Sequence, residues 1–278
     1  MQGIEYNFLN IALLRFYYMN QPLSYVDPQA KVAKNVVIEP FVNIEKNVII
    51  EEGTWIGSHV TIMEGTRIGK NCKIFPGAVI AAIPQDLKFG GEDTLVVIGD
   101  NTTIRECVTI NRGTTDRNQT KIGNNCLLMA YVHVAHDCII GNNCILANAV
   151  QLAGHVSIAD WAIIGGLSAV HQFVNIGSHS MVSGGSLVRM DVPPFIKAAR
   201  EPLSYEGVNS IGLRRRGFTS EKIAEIQEIY RNLYLRKYNT SKALKIIEAE
   251  MPTSPERDEI ISFIQDSSRG IMKGYSFK

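Results

Sequence analysis

The sequence predicts a mainly β protein, a parallel β-helix of hexapeptide repeats followed by a C-terminal α-helical domain. Three observations lead there. Every sixth residue from Val26 to Val188 is aliphatic, with Asp86, Glu92 and Asp116 the only exceptions. A period of six fits neither the roughly 3.6 of a helix nor the simple alternation of a strand; it is the repeat of a solenoid in which each flat side of a coil turns one aliphatic inward. Four places after each aliphatic, a second phase holds small or β-branched residues such as Val36, Thr54, Cys72, Ala78, Val132, Cys144 and Ser168, as a cramped interior requires. Beyond "DVPPF" at 191–195 the pattern becomes that of amphipathic helices.

Residues 1–18 include Phe8, Leu9, Ile11, Leu13 and Leu14 but no basic leading segment and no small-residue cleavage site, so they do not read as a signal peptide. They also fall short of the roughly 20 apolar residues that cross a bilayer. Because the register begins just after Met19, we expect Met19 to be the biological start and residues 1–18 a gene-model extension. The β-helix is expected over 19–192. Glycine follows the aliphatic at Gly57, Gly69, Gly99, Gly123, Gly141, Gly165 and Gly177, and asparagine sits two places later at Asn71, Asn101, Asn125 and Asn143, where a tight corner calls for left-handed backbone.

Two excursions leave the register, at about 81–97 and 111–120, and each returns to the same phase. Loops on a rigid solenoid are where function concentrates. Successive prolines should end the strand pairing near Asp191–Phe195. The helical domain, 193–278, then reads as a capped helix from Thr219 or Ser220 through Leu233, a second over Ser241–Glu250, and a third from Pro255 to Ser267. Such a cap would cover the open end of the β-helix, where unpaired edges invite aggregation.

Composition narrows the function classes. The chain has 278 residues and is 45% hydrophobic, enough for one large domain and a small one. A formal net charge of +1 argues against a nucleic-acid binder. Of five cysteines, Cys72, Cys126, Cys138 and Cys144 share the interior phase and read as packing residues, with Cys107 outside it. That usage fits a reducing compartment, so a cytoplasmic protein is expected.

Four of the six histidines lie between His133 and His171. If three sides make a coil, residues eighteen apart stack. His136 then falls under Gly154 and Gln172, Asp137 falls under His155, and His171 is offset by one place. At strand spacing this makes a polar stripe about 10 Å high. A solenoid has no structural need for it, although a single histidine beside a strand is more often a surface or packed residue. Zinc held by His133, His136 and His155 is a competing reading, as is a non-catalytic scaffold.

The strings "IPQDLKFGGE", "IRECVTINRGT", "HVAHDCIIGNNCILANAVQLAGHVSI", "IIGGLSAVHQF", "DVPPF" and "GVNSIGLRRRGF" closely resemble the UDP-N-acetylglucosamine acyltransferase family over nearly everything after Met19. The hexapeptide pattern alone also suits transferases that use acetyl-CoA, and the enzyme that later acylates an amine in lipid A biosynthesis. The excursions and stripe, in this order, favour the first family. The resemblance implies a left-handed coil, a homotrimer, and no metal or redox cofactor. It implies transfer of an (R)-3-hydroxyacyl chain from acyl carrier protein to the 3-hydroxyl of UDP-N-acetylglucosamine, which opens lipid A biosynthesis.

In that family's terms His136 matches the general base, suited to proton transfer near neutral pH. Gly154 matches the residue whose N–H stabilises the oxyanion. Asp137 is a candidate orienter of the base, but neighbours in a strand point to opposite faces, which leaves its histidine partner open. Asp86 and Lys88 fall near the sugar; His133, His155, His171 and Gln172 line the substrate site. Asn209, Arg215 and Arg216 match the nucleotide positions, where paired guanidinium forks suit a diphosphate; read without the family, "LRRRGF" is a solvated turn before a helix. Ile211 stands where the family often has an acidic residue. Gly184, beside Met181, matches a position that limits acyl length, and glycine there predicts a groove open to a long chain.

Overall fold

The computed structural model describes residues 23–236 and 238–274. The apolar stretch 1–18 lies outside these residues. Each six-residue repeat contributes one two-residue strand and one corner, and three repeats return the chain to the same wall. Val26 therefore lies beside Ile44, Val32 beside Ile50, and Ile38 beside Ile56. Among the described residues this gives three sheets of nine, eight and eleven strands, the walls of a left-handed parallel β-helix. The first wall begins at Tyr25–Val26, the second at Lys31–Val32 and the third at Val37–Ile38.

The aliphatic of each strand points inward. Ile44, Ile62, Ile80, Ile110 and Val134 of the first wall are fully buried, and so are the small residues Val60, Cys72, Ala78 and Val132. The interior thiols behave as packing groups. Cys126 Sγ donates to Gly141 O at 3.0 Å, Cys138 Sγ to Ala153 O at 3.2 Å and Cys144 Sγ to Ala159 O at 3.2 Å. Burial pushes the Cys138 thiol up to about 12, so it stays protonated and inert.

Register survives both excursions because each adds a multiple of six. Ile80 pairs with Ile110, a step of thirty (110 − 80), which is eighteen plus twelve. Ile110 pairs with Val134, a step of twenty-four, which is eighteen plus six. Stacking at eighteen thus holds only for coils free of an excursion, and His133 sits above Thr109. The strands run further into the excursions than their sequence suggests, over Val79–Ala82 and Leu95–Ile98 around the first and Thr109–Asn111 and Gln119–Ile122 around the second. Both excursions leave the first wall and enter the second, so both emerge at the same edge of the prism.

The expected left-handed corners are present at Asn71, Asn101, Asn125 and Asn143, with φ of 54°, 55°, 56° and 58°. Bulkier residues share that conformation, among them Asp137, His155, Trp161, Phe173 and His179. A non-glycine residue there costs on the order of 1–3 kcal/mol. Stacking offsets it: His155 lies on Phe173 with ring centroids 4.4 Å apart, and His179 lies on Phe195 at 5.5 Å.

The proline pair does not end the coil, contrary to expectation. Ile196–Ala199 adds another parallel rung to the third wall, with Val182 beside Ala198. Pro193 and Pro194 fall in the connection before this strand, where no ladder N–H is required of them. Ser204–Val208 then pairs antiparallel to that rung, and Lys273–Gly274 closes the sheet. Among the described residues four helices follow Val208: α1 (Ser210–Arg215), α2 (Ser220–Tyr234), α3 (Thr240–Glu250) and α4 (Pro255–Asp266). The side chains of Thr219, Asn239 and Ser254 cap α2, α3 and α4 by accepting from backbone N–H groups. The helices also flank the prism, since Ser178 Oγ donates to Glu259 Oε1 at 2.5 Å from α4.

Candidate active site

The edge between the first and second walls carries the histidine cluster. His136 and Asp137 turn the corner between His133–Val134 and Ile139–Ile140, and Gly154 and His155 turn it one coil higher. His136, Asp137 and His155 are all buried, Asp137 completely.

His136 Nδ1 lies 2.8 Å from Asp137 Oδ2. The concern that neighbouring residues face apart does not apply, because Asp137 is in a corner at φ 58° and not in a strand. A carboxylate on Nδ1 fixes the proton there and leaves Nε2 as the acceptor. Among the described residues Nε2 has no hydrogen-bond partner. Gly154 lies directly against it: a Cβ there would sit 2.7 Å from Nε2 and 2.6 Å from Cε1. Any side chain would displace the ring. The Gly154 N–H donates to no backbone oxygen among the described residues, which leaves it free for a ligand.

The second excursion holds Asp137. Thr114 donates to its carboxylate through Oγ1 at 2.7 Å and through its backbone N at 3.0 and 3.1 Å, and the Arg117 N–H adds a bond of 3.2 Å. Burial pushes the Asp137 carboxyl up, but the bonds from His136, Thr114 and Arg117 outweigh it and hold the group below its ordinary value. His155 packs its ring edge against His136 at 5.0 Å. Its Nδ1 is 3.1 Å from Asp116 Oδ2, close enough for an ion pair but not aligned for a hydrogen bond.

The remaining candidates are dispersed. His133 bonds Thr109 Oγ1 through Nδ1 at 2.7 Å, and burial holds its ring below the usual histidine range. It does not join His136 and His155, so the three-histidine zinc set does not form; the donor atoms that gather within 4.8 Å belong to His136, Asp137 and His155. The Asp137 oxygens in that group are already committed to Thr114 and Arg117. His171 is exposed, with Nδ1 3.1 Å from Gln172 O, and Gln172 is half-buried at the same edge. Asp86 and Lys88 sit on the first excursion, where Asp86 Oδ1 accepts from the Lys88 N–H at 3.0 Å; no hydrogen bond joins either to the histidines among the described residues.

Asn209 and Arg216 flank α1 and Arg215 is its last residue, at the edge between the second and third walls. Asn209 caps α1 and donates through Nδ2 to His179 O at 2.9 Å. Arg216 points Nη1 at His179 Nδ1, 3.3 Å away, and lies over the Trp161 ring at 5.2 Å. Arg215 and Ile211 are exposed. Gly184 turns the third edge, between the third and first walls, and a Cβ there would meet Gly166 O at 3.0 Å; Met181 projects outward from the third wall. A cavity of about 620 Å³ lies elsewhere, between the second wall and α4, lined in part by Ile139, Ser157, Asn175, Glu259 and Phe263.

Comparison with known proteins bears on this arrangement. The family described as Udp N-acetylglucosamine O-acyltransferase, Domain 2, matches residues 191–272, and the bacterial transferase hexapeptide family matches residues 47–82 and 119–154. A UDP-N-acetylglucosamine O-acyltransferase of Myxococcus xanthus is 44% identical over 200 residues, covering 72% of this chain and 78% of its own. The protein belongs to that family. An acyltransferase of the same name from Chlorobaculum tepidum is 53% identical over 188 residues, 67% of this chain and 71% of its own. The crystal structure of the UDP-N-acetylglucosamine acyltransferase from Bacteroides fragilis superposes with a TM-score of 0.90 at 50% identity, covering 92% of this chain and 100% of its own. The acyltransferase family therefore accounts for both the coil and the helical region that follows it.

Sequence reading missed Thr114, Asp116, Arg117 and His179. The first three were visible only as members of an excursion, with no periodicity to say which coil they would face. His179 stands in the same left-handed corner phase as Asn71, Asn101, Asn125 and Asn143, and that phase is its one signal in the sequence.

Proposed function

We propose that the protein moves an (R)-3-hydroxyacyl chain from acyl carrier protein to the 3-hydroxyl of UDP-N-acetylglucosamine, the first step of lipid A biosynthesis. The observation that carries the mechanism is the free Nε2 of His136 against the bare Gly154 backbone, with Nδ1 tied to Asp137. His136 Nε2 takes the proton of the sugar hydroxyl as that oxygen attacks the thioester carbonyl carbon. The Gly154 N–H stabilises the oxyanion that forms. Asp137 stabilises the imidazolium. Collapse of the tetrahedral adduct breaks the carbon–sulfur bond, and the imidazolium returns its proton to the departing thiolate.

Asp86, Lys88, His133, His155, His171 and Gln172 are assigned to the sugar and acyl donor, and Asn209, Arg215 and Arg216 to the nucleotide. In one protomer the arginines and Gly184 stand on edges other than that of His136. A homotrimer would set one protomer's edge against its neighbour's and complete each site from two chains. Exposed apolar residues support that contact, since Phe41, Tyr131 and Leu167 all lie along the edge between the third and first walls, the edge that Gly184 also turns. Among the described residues no helix is long and apolar enough to cross a membrane, and all five cysteines are unpaired, in keeping with the proposed cytoplasmic setting.

Incubation with UDP-N-acetylglucosamine and a panel of 3-hydroxyacyl carrier proteins, followed by product mass, tests the reaction. A product heavier by one hydroxyacyl group is expected; none with any donor would refute the assignment. A native mass three times the chain's 30.8 kDa tests the trimer.

A further inference from the structure

We propose that Thr114 and Arg117, on the second excursion, are positioning residues for acyl transfer, acting on His136 through the Asp137 carboxylate. The inference rests on the acyltransferase reading of His136. Asp137 is completely buried, and an ionised carboxylate out of water is tolerated only when its oxygens are saturated with donors. The prism itself supplies one donor, the His136 ring. The rest come from the excursion: Thr114 Oγ1, Thr114 N and Arg117 N.

The Arg117 guanidinium does a second job. It donates to the Asp137 carbonyl at 2.8 Å and to Ser157 Oγ at 3.2 Å, pinning the left-handed corner to the coil above. The excursion is itself braced. Thr94 Oγ1 donates to Gly113 O at 2.6 Å, and the Asn118 N–H donates to Thr114 O at 2.8 Å. Gly113 packs so closely on the returning strand that a Cβ would fall 2.3 Å from Gln119 N. A carboxylate held by fixed donors points one oxygen at Nδ1, and that contact selects the imidazole tautomer with Nε2 unprotonated. The other charged or titratable groups around His136 are His155 against its ring and Asp116 beyond His155. Neither reaches the Asp137 carboxylate with a hydrogen bond; His155 Nε2 stays 3.9 Å away.

The test is a double-mutant cycle in steady-state kinetics with UDP-N-acetylglucosamine and a 3-hydroxyacyl carrier protein. Thr114→Val should lower kcat roughly 10-fold to 100-fold, the usual cost of removing an outer partner that orients a functional histidine, with KM for the sugar nucleotide nearly unchanged. Thr114→Ser should restore most of the rate. Arg117→Met should lower kcat in the same sense. In an Asp137→Asn background the Thr114→Val loss should vanish, because the carboxylate it acts on is gone, whereas the Arg117→Met loss should persist, because its guanidinium holds the Asp137 backbone carbonyl. An unchanged kcat in Thr114→Val, or an equal Thr114→Val loss in both backgrounds, overturns the proposal. Should the wild-type protein fail to turn over this substrate pair, the functional reading falls and the clamp is read by proton NMR. A downfield His136 Nδ1–H resonance that is present in the wild type and shifted in Thr114→Val supports it, and an unmoved resonance refutes it.

Discussion

Two edges of the same prism carry a histidine at a corner, and the two histidines are set up for different work. At the edge between the first and second walls, His136 turns Nδ1 to the Asp137 carboxylate and leaves Nε2 open beside Gly154. At the edge between the second and third walls, His179 turns Nδ1 to the Arg216 guanidinium and lies stacked between Trp161 and Phe195. A carboxylate partner stabilises the imidazolium that proton transfer creates; a guanidinium partner opposes it. Burial and the neighbouring Arg216 push His179 down to about 4, so near neutrality it is a neutral acceptor for the arginine. One imidazole faces a carboxylate and leaves its second ring nitrogen open; the other faces a cation.

The sharpest break of this contrast is His136→Ala, which should cost about 10²-fold to 10⁴-fold in kcat while circular dichroism shows an intact β-helix. Near-normal turnover would remove the base from this edge. Gly154→Ala comes next, because its methyl would sit 2.7 Å from His136 Nε2. A fall of roughly 10²-fold in kcat is expected from a displaced ring and a spoiled oxyanion donor, and retained activity would mean the ring has room to move. At the other edge, His179→Phe keeps the stack but removes the acceptor for Arg216. It should raise KM for the sugar nucleotide about tenfold, close to 1.4 kcal/mol, with a much smaller change in kcat. A loss confined to kcat would erase the distinction between the edges.

The smallest effect is on stability. His179 has a folded-state pKa near 4 against an ordinary 6.5, so the unfolded chain binds the extra proton between those values. Its contribution is present above about pH 6.5 and lost as the pH falls toward 4. Thermal unfolding followed over that window should show a shallower decline in His179→Phe than in the wild type. Parallel curves would place the acid sensitivity in other groups.

Several features of the fold were legible because they repeat. Ile62, Ile80 and Val134 declare their wall by period alone, and the asparagines at 71, 101, 125 and 143 mark corners whose backbone only a few residue types accept readily. The site was legible in part for the same reason: the coils holding His136 and Gly154 are eighteen residues apart with no excursion between them. Where an excursion intervenes the arithmetic fails, and no period places Thr114 and Arg117 against Asp137. The extra rung at Ile196–Ala199 was hidden behind two prolines whose missing N–H groups fall outside the ladder.

The sequence by itself determined the coil, its walls and the stack of His136 under Gly154, since a strict hydrophobic period admits one register and a one-place slip would expose the whole core. Tertiary structure alone decided which carboxylate faces which ring nitrogen, how the second excursion closes on Asp137, and that Arg216 stands on a different edge from His136. Those choices depend on aperiodic loops and on left-handed corners that turn adjacent side chains toward one another, and neither leaves a repeat in the chain to be read.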